Sequence, residues 1–199
     1  MGSREEILAA LRRAAPPDPG LPSEPVRGTP YADLALQLGE AVQAVGGAFQ
    51  RVPDAAALRE AVAALAARLE ARRVVSRVPE AGAGTAGEAG PADVADPHEL
   101  EGVDLAVVPG RFAVAENGAV WVAGEDLGHR AVFVIAQHLA LVVPAAEIVN
   151  DLHEAYARIR FDGPGFGLFV AGPSKTADIE QALVIGAHGA RSCTVFLVG

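Results

Sequence analysis

The sequence predicts an α/β fold with a mainly parallel sheet covered by helices, and three observations support this class. Segments with apolar residues at helical spacing alternate with short runs of apolar and β-branched residues. Several of these runs are apolar throughout, as strands buried on both faces are. The chain has 199 residues and 51% hydrophobic side chains, which is enough for one substantial core.

The first 28 residues are predicted to form an outlying helix and a tether. Ile7, Leu8 and Leu11 share one helical face. Four prolines then stop the helix and extend the backbone: Pro16, Pro17, Pro19 and Pro22. Such an arm either packs on a neighbouring subunit or is a loosely held terminus. The chain therefore divides into an arm, 1–28, and an α/β domain, 29–199.

The first half of this domain is predicted to contain two helices and a strand. A helix over residues 31–45 ends at Gly46 and Gly47, because glycine commonly closes helices. Asp54 is a candidate N-cap for a second helix, since its carboxylate can accept from free backbone N–H groups. That helix carries four apolar residues on one face: Leu58, Val62, Leu65 and Leu69. The β-branched run 73–78 predicts a strand.

A glycine-rich stretch within residues 80–97 predicts a flexible surface loop. Its glycines resemble a phosphate cradle, but a P-loop ends in Lys followed by Ser or Thr, so that an ammonium group meets the phosphates. Residues 82–90 contain Glu88 and no lysine. The phosphate-binding interpretation therefore fails on chemistry.

The second half is predicted to continue the alternation of strands and helices. Asn117 and Gly118 form a strong hairpin signal between two apolar runs, because both residues tolerate positive φ. The predicted strands cover residues 104–108, 112–116, 119–123, 139–143, 166–171 and 193–198. The predicted helices cover residues 146–160, with Ile148, Leu152, Tyr156 and Ile159 on one stripe, and 176–185.

Composition excludes several classes of function. A formal net charge of −9 without a long Lys/Arg run argues against nucleic acid as a partner. Cys193 is the single cysteine, so the chain alone can form no disulfide and hold no cysteine-ligated iron–sulfur cluster, and a reducing cytoplasmic setting is expected. The most apolar stretch, 131–149, is interrupted by polar residues and a proline, so no membrane span is predicted.

Candidate chemistry lies after the predicted strand 166–171, since open α/β sheets bind ligands at the carboxyl ends of strands. The chain turns at Gly172, and a helix beginning at Ser174, Lys175 and Thr176 would offer N–H groups to a small anionic ligand. Asp178 and Glu180 would already satisfy the dipole of that helix, so plain capping is the alternative.

His188 lies between glycines, which leaves its imidazole little cover and suits it to a cleft. A histidine after a helix is also a common partner of the helix dipole. The run 151–154 contains Asp, His and Glu, but it is better explained as the solvated side of a helix than as a metal site, because no second ligand pair has matching spacing. No metal site is predicted.

The runs 172–180, GPSKTADIE, and 186–189, GAHG, resemble the signature of the LutC/YkgG family, the LUD-domain proteins of bacterial lactate utilisation. Upstream, the run 112–118, Arg130 and the run 138–144 fall in the order of the family, so the resemblance covers about residue 31 to the end. Three positions depart from the family pattern: Lys175 replaces the usual Arg, Ala190 the usual Pro, and Asn117 a common Thr. The lysine cannot offer the planar fork with which arginine grips anions.

The resemblance implies a NagB/RpiA/CoA-transferase-like fold. Some CoA transferases of that group carry a catalytic glutamate in a Glu-Asn-Gly element, and Glu116, Asn117 and Gly118 are similar in type. By that analogy Glu116 would be a nucleophile or general base in one cleft with His188, with Asn117 among the ligand contacts. The alternative is a glutamate on the rim beside a tight turn.

Three functions stay open from the sequence. The first, implied by the resemblance, is a LutC-like component of L-lactate oxidation to pyruvate, holding no cofactor itself and working with iron–sulfur partner proteins. The second is a transferase, isomerase or cyclo-ligase acting on a small anionic substrate. The third is a non-catalytic module that senses such a ligand.

Overall fold

The structure, a computed structural model, describes residues 2–17, 20, 28–82, 96–160, 165–176 and 183–199. The helices are α1 (Ser3–Ala14), α2 (Leu34–Ala44), α3 (Ala55–Arg68), α4 (Val132–Ile135) and α5 (Leu152–Arg158). The strands are β1 (Ala48–Val52), β2 (Val74–Ser76), β3 (Leu105–Pro109), β4 (Phe112–Val114), β5 (Ala119–Ala123), β6 (His138–Pro144), β7 (Ile148–Val149), β8 (Gly167–Val170), β9 (Lys175–Thr176), β10 (Val184–Ile185) and β11 (Ser192–Val198).

The central sheet is parallel and has five strands in the order β1-β11-β6-β3-β2. Every neighbouring pair in it is parallel. Strands β3, β6 and β11 occupy the middle, and their interior residues are almost completely buried. This arrangement confirms the predicted α/β class and explains why the interiors of these strands are mostly apolar.

One face of the central sheet is covered by α3, as predicted. Asp54 caps this helix by accepting a 2.8 Å hydrogen bond from the backbone N–H of Ala57. Side chains of α3 pack against alternate residues of the strands, since successive strand residues point to opposite faces. This core contains Leu58, Val62, Leu65, Leu105, Val107, Ala140, Val142 and Phe196.

The other face is covered by α2 and by a second sheet, in the order β7-β4-β5-β8. The prediction placed one hairpin within a sheet covered by helices, but the hairpin belongs to this separate sheet. Alternation is again the reason, because Ala113 and Val120 face the central sheet while Phe112 and Val114 face outwards towards α5. The fold therefore has two sheets packed against each other, with α3 and α5 on the outside.

The β4–β5 hairpin is confirmed, but its connection spans four residues, 115–118. The N–H of Gly118 donates to the carbonyl of Val114 at 3.0 Å, and the Asn117 side chain accepts from the N–H of Ala119 at 3.0 Å. Only Gly118, of these two turn residues, has positive φ, at 71°. Asn117 thus closes the turn through its side chain, whereas Gly118 supplies the backbone conformation.

The predicted helix over 146–160 is wrong in its first part. Ile148 and Val149 form β7, which pairs in parallel with β4, and the helix begins only at Leu152. Asp151 caps it, accepting from the N–H of Glu154 at 2.9 Å. Of the predicted apolar stripe, Leu152 and Ile159 pack against the outer core, whereas Tyr156 is 59% exposed. The strand forms because pairing satisfies the backbone at the free edge of β4.

The N-terminal helix is confirmed as α1, and it buries none of its residues. Further along, the segment 28–31 is held by Asn150, whose side chain donates to the carbonyl of Thr29 at 2.8 Å and accepts from the N–H of Tyr31 at 2.9 Å. Most of the predicted tether and of the glycine-rich loop lie outside the described residues. Among the helices that the structure describes, none has the length and apolar character needed to cross a membrane.

Candidate functional site

The segment after β8 differs from its prediction. Lys175 and Thr176 form β9, which pairs antiparallel with Val184 and Ile185 of β10, so the predicted helix over 176–185 is wrong at both of its ends. The β-branched residues at these positions favour strands. Asp178 and Glu180 lie outside the described residues. Because Lys175 and Thr176 are in a strand, the described residues 174–176 do not form the helix start whose dipole was expected to attract an anion.

The two halves of the predicted signature nevertheless meet. Gly172, Ser174, His188 and Gly189 line one cavity of about 270 Å³, which we call the C-terminal cleft. The N–H of Ser174 donates to the carbonyl of Ala190 at 2.9 Å, and this bond joins the strand end to the turn before β11. A Cβ on Gly189 would lie 3.5 Å from the Ser174 hydroxyl oxygen, so the glycine keeps the space beside Ser174 open.

The polar groups of the C-terminal cleft are available to a ligand. His188 is exposed, and its ring makes no hydrogen bond to the part of the chain that the structure describes. Ser174 is half-buried and lines the cleft, whereas Thr176, in β9, is half-buried and is not among the lining residues. A hydroxyl and an imidazole N–H can both donate to a carboxylate, so the cleft suits a small acid.

Lys175 is tied to α2. Its ammonium group donates to the carbonyl of Val45, the C-cap residue of that helix. Gly172 lies against the same carbonyl, and an added Cβ would come within 2.7 Å of its oxygen. Its φ is +79°, so both the close contact and the backbone angle require glycine. Lys175, which was predicted to bind a ligand, thus places its positive charge at the negative carboxyl end of α2.

Replacing Lys175 with methionine is expected to lower the free energy of unfolding by about 0.3–1 kcal/mol, because the terminal carbonyl of α2 loses its cation. Lys175 is the single lysine of the sequence, and Lys175→Arg is the matched control that keeps a cationic donor. Urea unfolding of both variants measures the difference. Equal loss in the two variants would show that charge at the helix end is unimportant.

Glu116 and Asn117 are not brought to the C-terminal cleft. The N–H of Glu116 donates to the carbonyl of Asn150 at 3.1 Å, and its carboxylate accepts from the N–H of Leu152 at 3.2 Å, at the start of α5. No described contact joins Glu116 to Ser174 or to the histidine of the cleft. The shared site of Glu116 and His188 therefore stays a prediction from analogy, without a contact that supports it.

His138 was not singled out by its chemistry in the sequence, yet its environment is unusual. It lies at the start of β6, and its Nδ1 is 2.8 Å from the hydroxyl of Ser192 at the start of β11. Burial lowers the pKa of His138, and the charge of Arg191 lowers it further. The pair joins β6 to β11 at the amino ends of these parallel strands, close to Leu139 and Ala190, which line the C-terminal cleft.

The protein is expected to lose stability as pH falls below about 6.5, the ordinary pKa of histidine, in part through His138. A lowered folded-state pKa means that the unfolded chain binds the proton first, so acid favours unfolding in this window. Melting temperatures at pH 7.5 and 5.5, roughly spanning that pKa, should differ less in His138→Gln than in the wild type. The exposed His153→Gln is the control, and an unchanged pH dependence in His138→Gln would contradict the assignment.

Cys193 is buried, and desolvation raises the pKa of its thiol to about 12. The thiol is therefore protonated and shielded at neutral pH, and it is a packing residue rather than a nucleophile. Within the described ranges, no three His, Cys, Asp or Glu side chains come together as a metal site would require.

Comparisons with known proteins agree with this architecture. Lactate utilization protein C 1 of Bacillus mycoides is 34% identical over 92 residues, which cover 43% of this chain and 39% of that protein. Lactate utilization protein C of Shouchella clausii is 29% identical over 96 residues, which cover 46% of this chain and 42% of that protein. The chain thus matches about two fifths of the length of these curated relatives.

A crystal structure of a DUF162 family protein from Deinococcus radiodurans has the same fold. Its TM-score is 0.55 at 22% identity, and the match covers 83% of this chain and 96% of that one. The family model of the LUD domain matches residues 36–198, which include both sheets and the C-terminal cleft. The chain therefore belongs to the LUD domain family.

Proposed function

We propose that this chain is a LutC-like component of a bacterial L-lactate utilisation system and acts in the cytoplasm with iron–sulfur partner proteins in the oxidation of lactate to pyruvate. The observation that carries the proposal is the LUD-domain match over residues 36–198, together with relatives named lactate utilization protein C. A role in lactate utilisation is what these relatives share by name.

The C-terminal cleft supports the proposal chemically. Its volume of about 270 Å³ is suited to a small acid rather than to a large cofactor. Ser174 and His188 offer donors to a carboxylate, and Gly172 and Gly189 keep the backbone close without filling the space. In this proposal the cleft holds lactate, pyruvate or a carboxylate of a partner.

The partner proteins follow from the cysteine content. Electrons leaving lactate need an acceptor, and iron–sulfur clusters are usually held by several cysteine thiolates. This chain has one cysteine, Cys193, and it is buried in the core between the sheets. The clusters would accordingly reside on other proteins of the system.

The proposal is tested by deleting the gene in the bacterium that encodes it. Growth on L-lactate as sole carbon source should be lost, whereas growth on glucose should be unchanged. Affinity purification of the tagged full chain from lactate-grown cells should recover iron–sulfur proteins. Unimpaired growth on lactate in a strain without a second copy of the gene would overturn the proposal.

The role of the C-terminal cleft is tested by complementing that deletion. The double variant Ser174→Ala/His188→Ala should fail to restore growth on lactate, with unchanged expression and melting temperature. The double variant Ser3→Ala/His153→Ala is the matched control, because both residues are exposed and lie outside the cleft. Full complementation by the cleft variant would exclude the cleft while leaving the role in lactate utilisation intact.

A further inference from the structure

A second cavity, of about 670 Å³, lies beside the outer face of the four-stranded sheet. Its lining includes four arginines and three aromatic residues, together with two glutamates, Glu125 and Glu147. We call it the arginine cleft and define it by six residues: Arg111, Arg130, Arg158, Arg160, Trp121 and Phe166. None of these residues lines the C-terminal cleft. The arginine cleft is therefore a separate feature of the described structure.

Its charge is opposite to that of the protein, whose formal net charge is −9. Arg111 is paired with Asp126, at 2.7 Å from Nε, and with Glu125. Arg158 is paired with Glu147 at 2.7 Å.

The other two guanidinium groups have no carboxylate partner among the described residues. Arg130 lies over the ring of Phe166, with its Cζ 4.9 Å from the ring centroid, and Arg160 is exposed. A guanidinium group offers several N–H donors in a planar fork that fits carboxylate and phosphate oxygens. The guanidinium groups of Arg130 and Arg160 can therefore donate hydrogen bonds to the oxygens of a bound anion.

The aromatic walls add a second kind of contact. Trp121 is half-buried, and its indole lies against the backbone of Gly167, where a Cβ would come within 2.3 Å of a ring carbon. Trp121 also stacks on Phe112, with ring centroids 6.3 Å apart. Phe166 is 37% exposed. A fixed indole and an accessible phenyl ring are surfaces on which a planar ring of a ligand can pack.

We propose that the arginine cleft binds a nucleotide-sized anion, with a planar ring against the aromatic residues and its phosphates at Arg130 and Arg160. The cavity volume lies within the ~300–1,000 Å³ that small-molecule sites occupy, and a three-carbon acid alone would fill only a small part of it. The proposal rests on this cavity and is independent of the role in lactate utilisation.

The test uses the full chain and ADP as the probe. Trp121 is the single tryptophan of the sequence, so its fluorescence reports on this cleft directly. ADP should bind with a sub-millimolar Kd by calorimetry and should change the tryptophan emission saturably. Pyrophosphate, which lacks the ring, and adenosine, which lacks the charge, should each bind about tenfold more weakly or worse. Raising the salt concentration should weaken ADP binding, because screening reduces the attraction of exposed charges.

Variants separate specific binding from general attraction. Arg130→Gln/Arg160→Gln should weaken ADP binding about tenfold or more, a loss of about 1.4 kcal/mol or more. Arg68→Gln, an exposed arginine of α3 outside the cleft, should leave it unchanged. Far-UV circular dichroism checks that both variants are folded. The proposal is overturned if the wild type shows no binding heat with ADP, if adenosine binds as well as ADP, or if the double variant and Arg68→Gln bind ADP equally.

Discussion

Gly118→Ala is expected to lower the free energy of unfolding by about 2–6 kcal/mol, the sum of about 1–3 for a strained backbone and about 1–3 for overpacking. Gly118 has a φ of 71°, a backbone angle that residues other than glycine rarely adopt. An added Cβ would also lie 2.8 Å from the backbone nitrogen of Val42 and 2.9 Å from the carbonyl carbon of Ala41. These atoms belong to α2, and a helix backbone cannot move aside as a side chain can. Urea unfolding measures the loss.

The matched control for this variant is Gly102→Ala. Gly102 has nearly the same backbone angle, with φ at 78°, but an added Cβ there would meet no atom within 4 Å. Gly102→Ala should therefore lower the free energy of unfolding only by the cost of the strained backbone, about 1–3 kcal/mol. If the two variants lose the same stability, the close approach of the hairpin to α2 does not matter, and the packing of the second sheet on that helix must be looser than the distances indicate.

The second large effect is expected for Leu141→Ala, which should cost about 2–5 kcal/mol. Leu141 is in the middle of β6 and is completely buried. Leu141 belongs to the core between the central sheet and the second sheet. Its strand, β6, is hydrogen-bonded to β11 on one side and to β3 on the other. Because the strands on either side are held by their hydrogen bonds, the structure cannot collapse to fill the space that the side chain leaves.

Leu36→Ala removes the same atoms from a side chain that is 61% exposed, and it is the control for Leu141→Ala. Its effect should stay within about 0.5 kcal/mol, as for most surface substitutions. The slope of the urea transition should be unchanged in both variants, which would show that the comparison concerns stability alone. A small loss for Leu141→Ala would mean that the two sheets separate easily, contrary to the continuous core between them.

The two clefts differ in size and in the polar groups that line them, so they suit different ligands. The C-terminal cleft is small and combines a hydroxyl and an imidazole with open glycine backbone, which suits a small carboxylate. The arginine cleft is larger and combines aromatic rings with two guanidinium groups, of Arg130 and Arg160, that have no carboxylate partner among the described residues. Binding experiments with lactate and with ADP therefore address different surfaces, and the cleft variants of one should leave the other unaffected.

Features with a local physical cause could be predicted from the sequence. The α/β class, α1, α2 and α3 follow from apolar periodicity, and the Asp54 cap and the Gly46–Gly47 end of α2 follow from the hydrogen-bonding needs of helix termini. The strands β3, β6 and β11 are mostly apolar because both faces of the sheet are covered. The joint presence of Ser174 and His188 in one cleft follows the family resemblance.

Tertiary structure alone decided the remaining features. Strands β7, β9 and β10 have two residues each, and such short segments are extended only because a neighbouring strand pairs with them. The helix expected over residues 176–185 is wrong at its two described ends for this reason, since the local sequence carries no sign of the partner strand. The same holds for Glu116, whose carboxylate meets the start of α5 only after β4 and β7 have paired.

The arginine cleft shows most clearly what only the three-dimensional arrangement determines. Trp121 and Phe166 are far apart in sequence, and they line one cavity because β5 pairs with β8, with Ala123 opposite Gly167. The four arginines come from three separate parts of the chain, around residues 111, 130 and 158–160, and no sequence motif links these parts. The sequence by itself determined the class of fold, the helices α1, α2 and α3, and the family signature, because these depend on local patterns. Pairing between distant strands decided which side chains share a site.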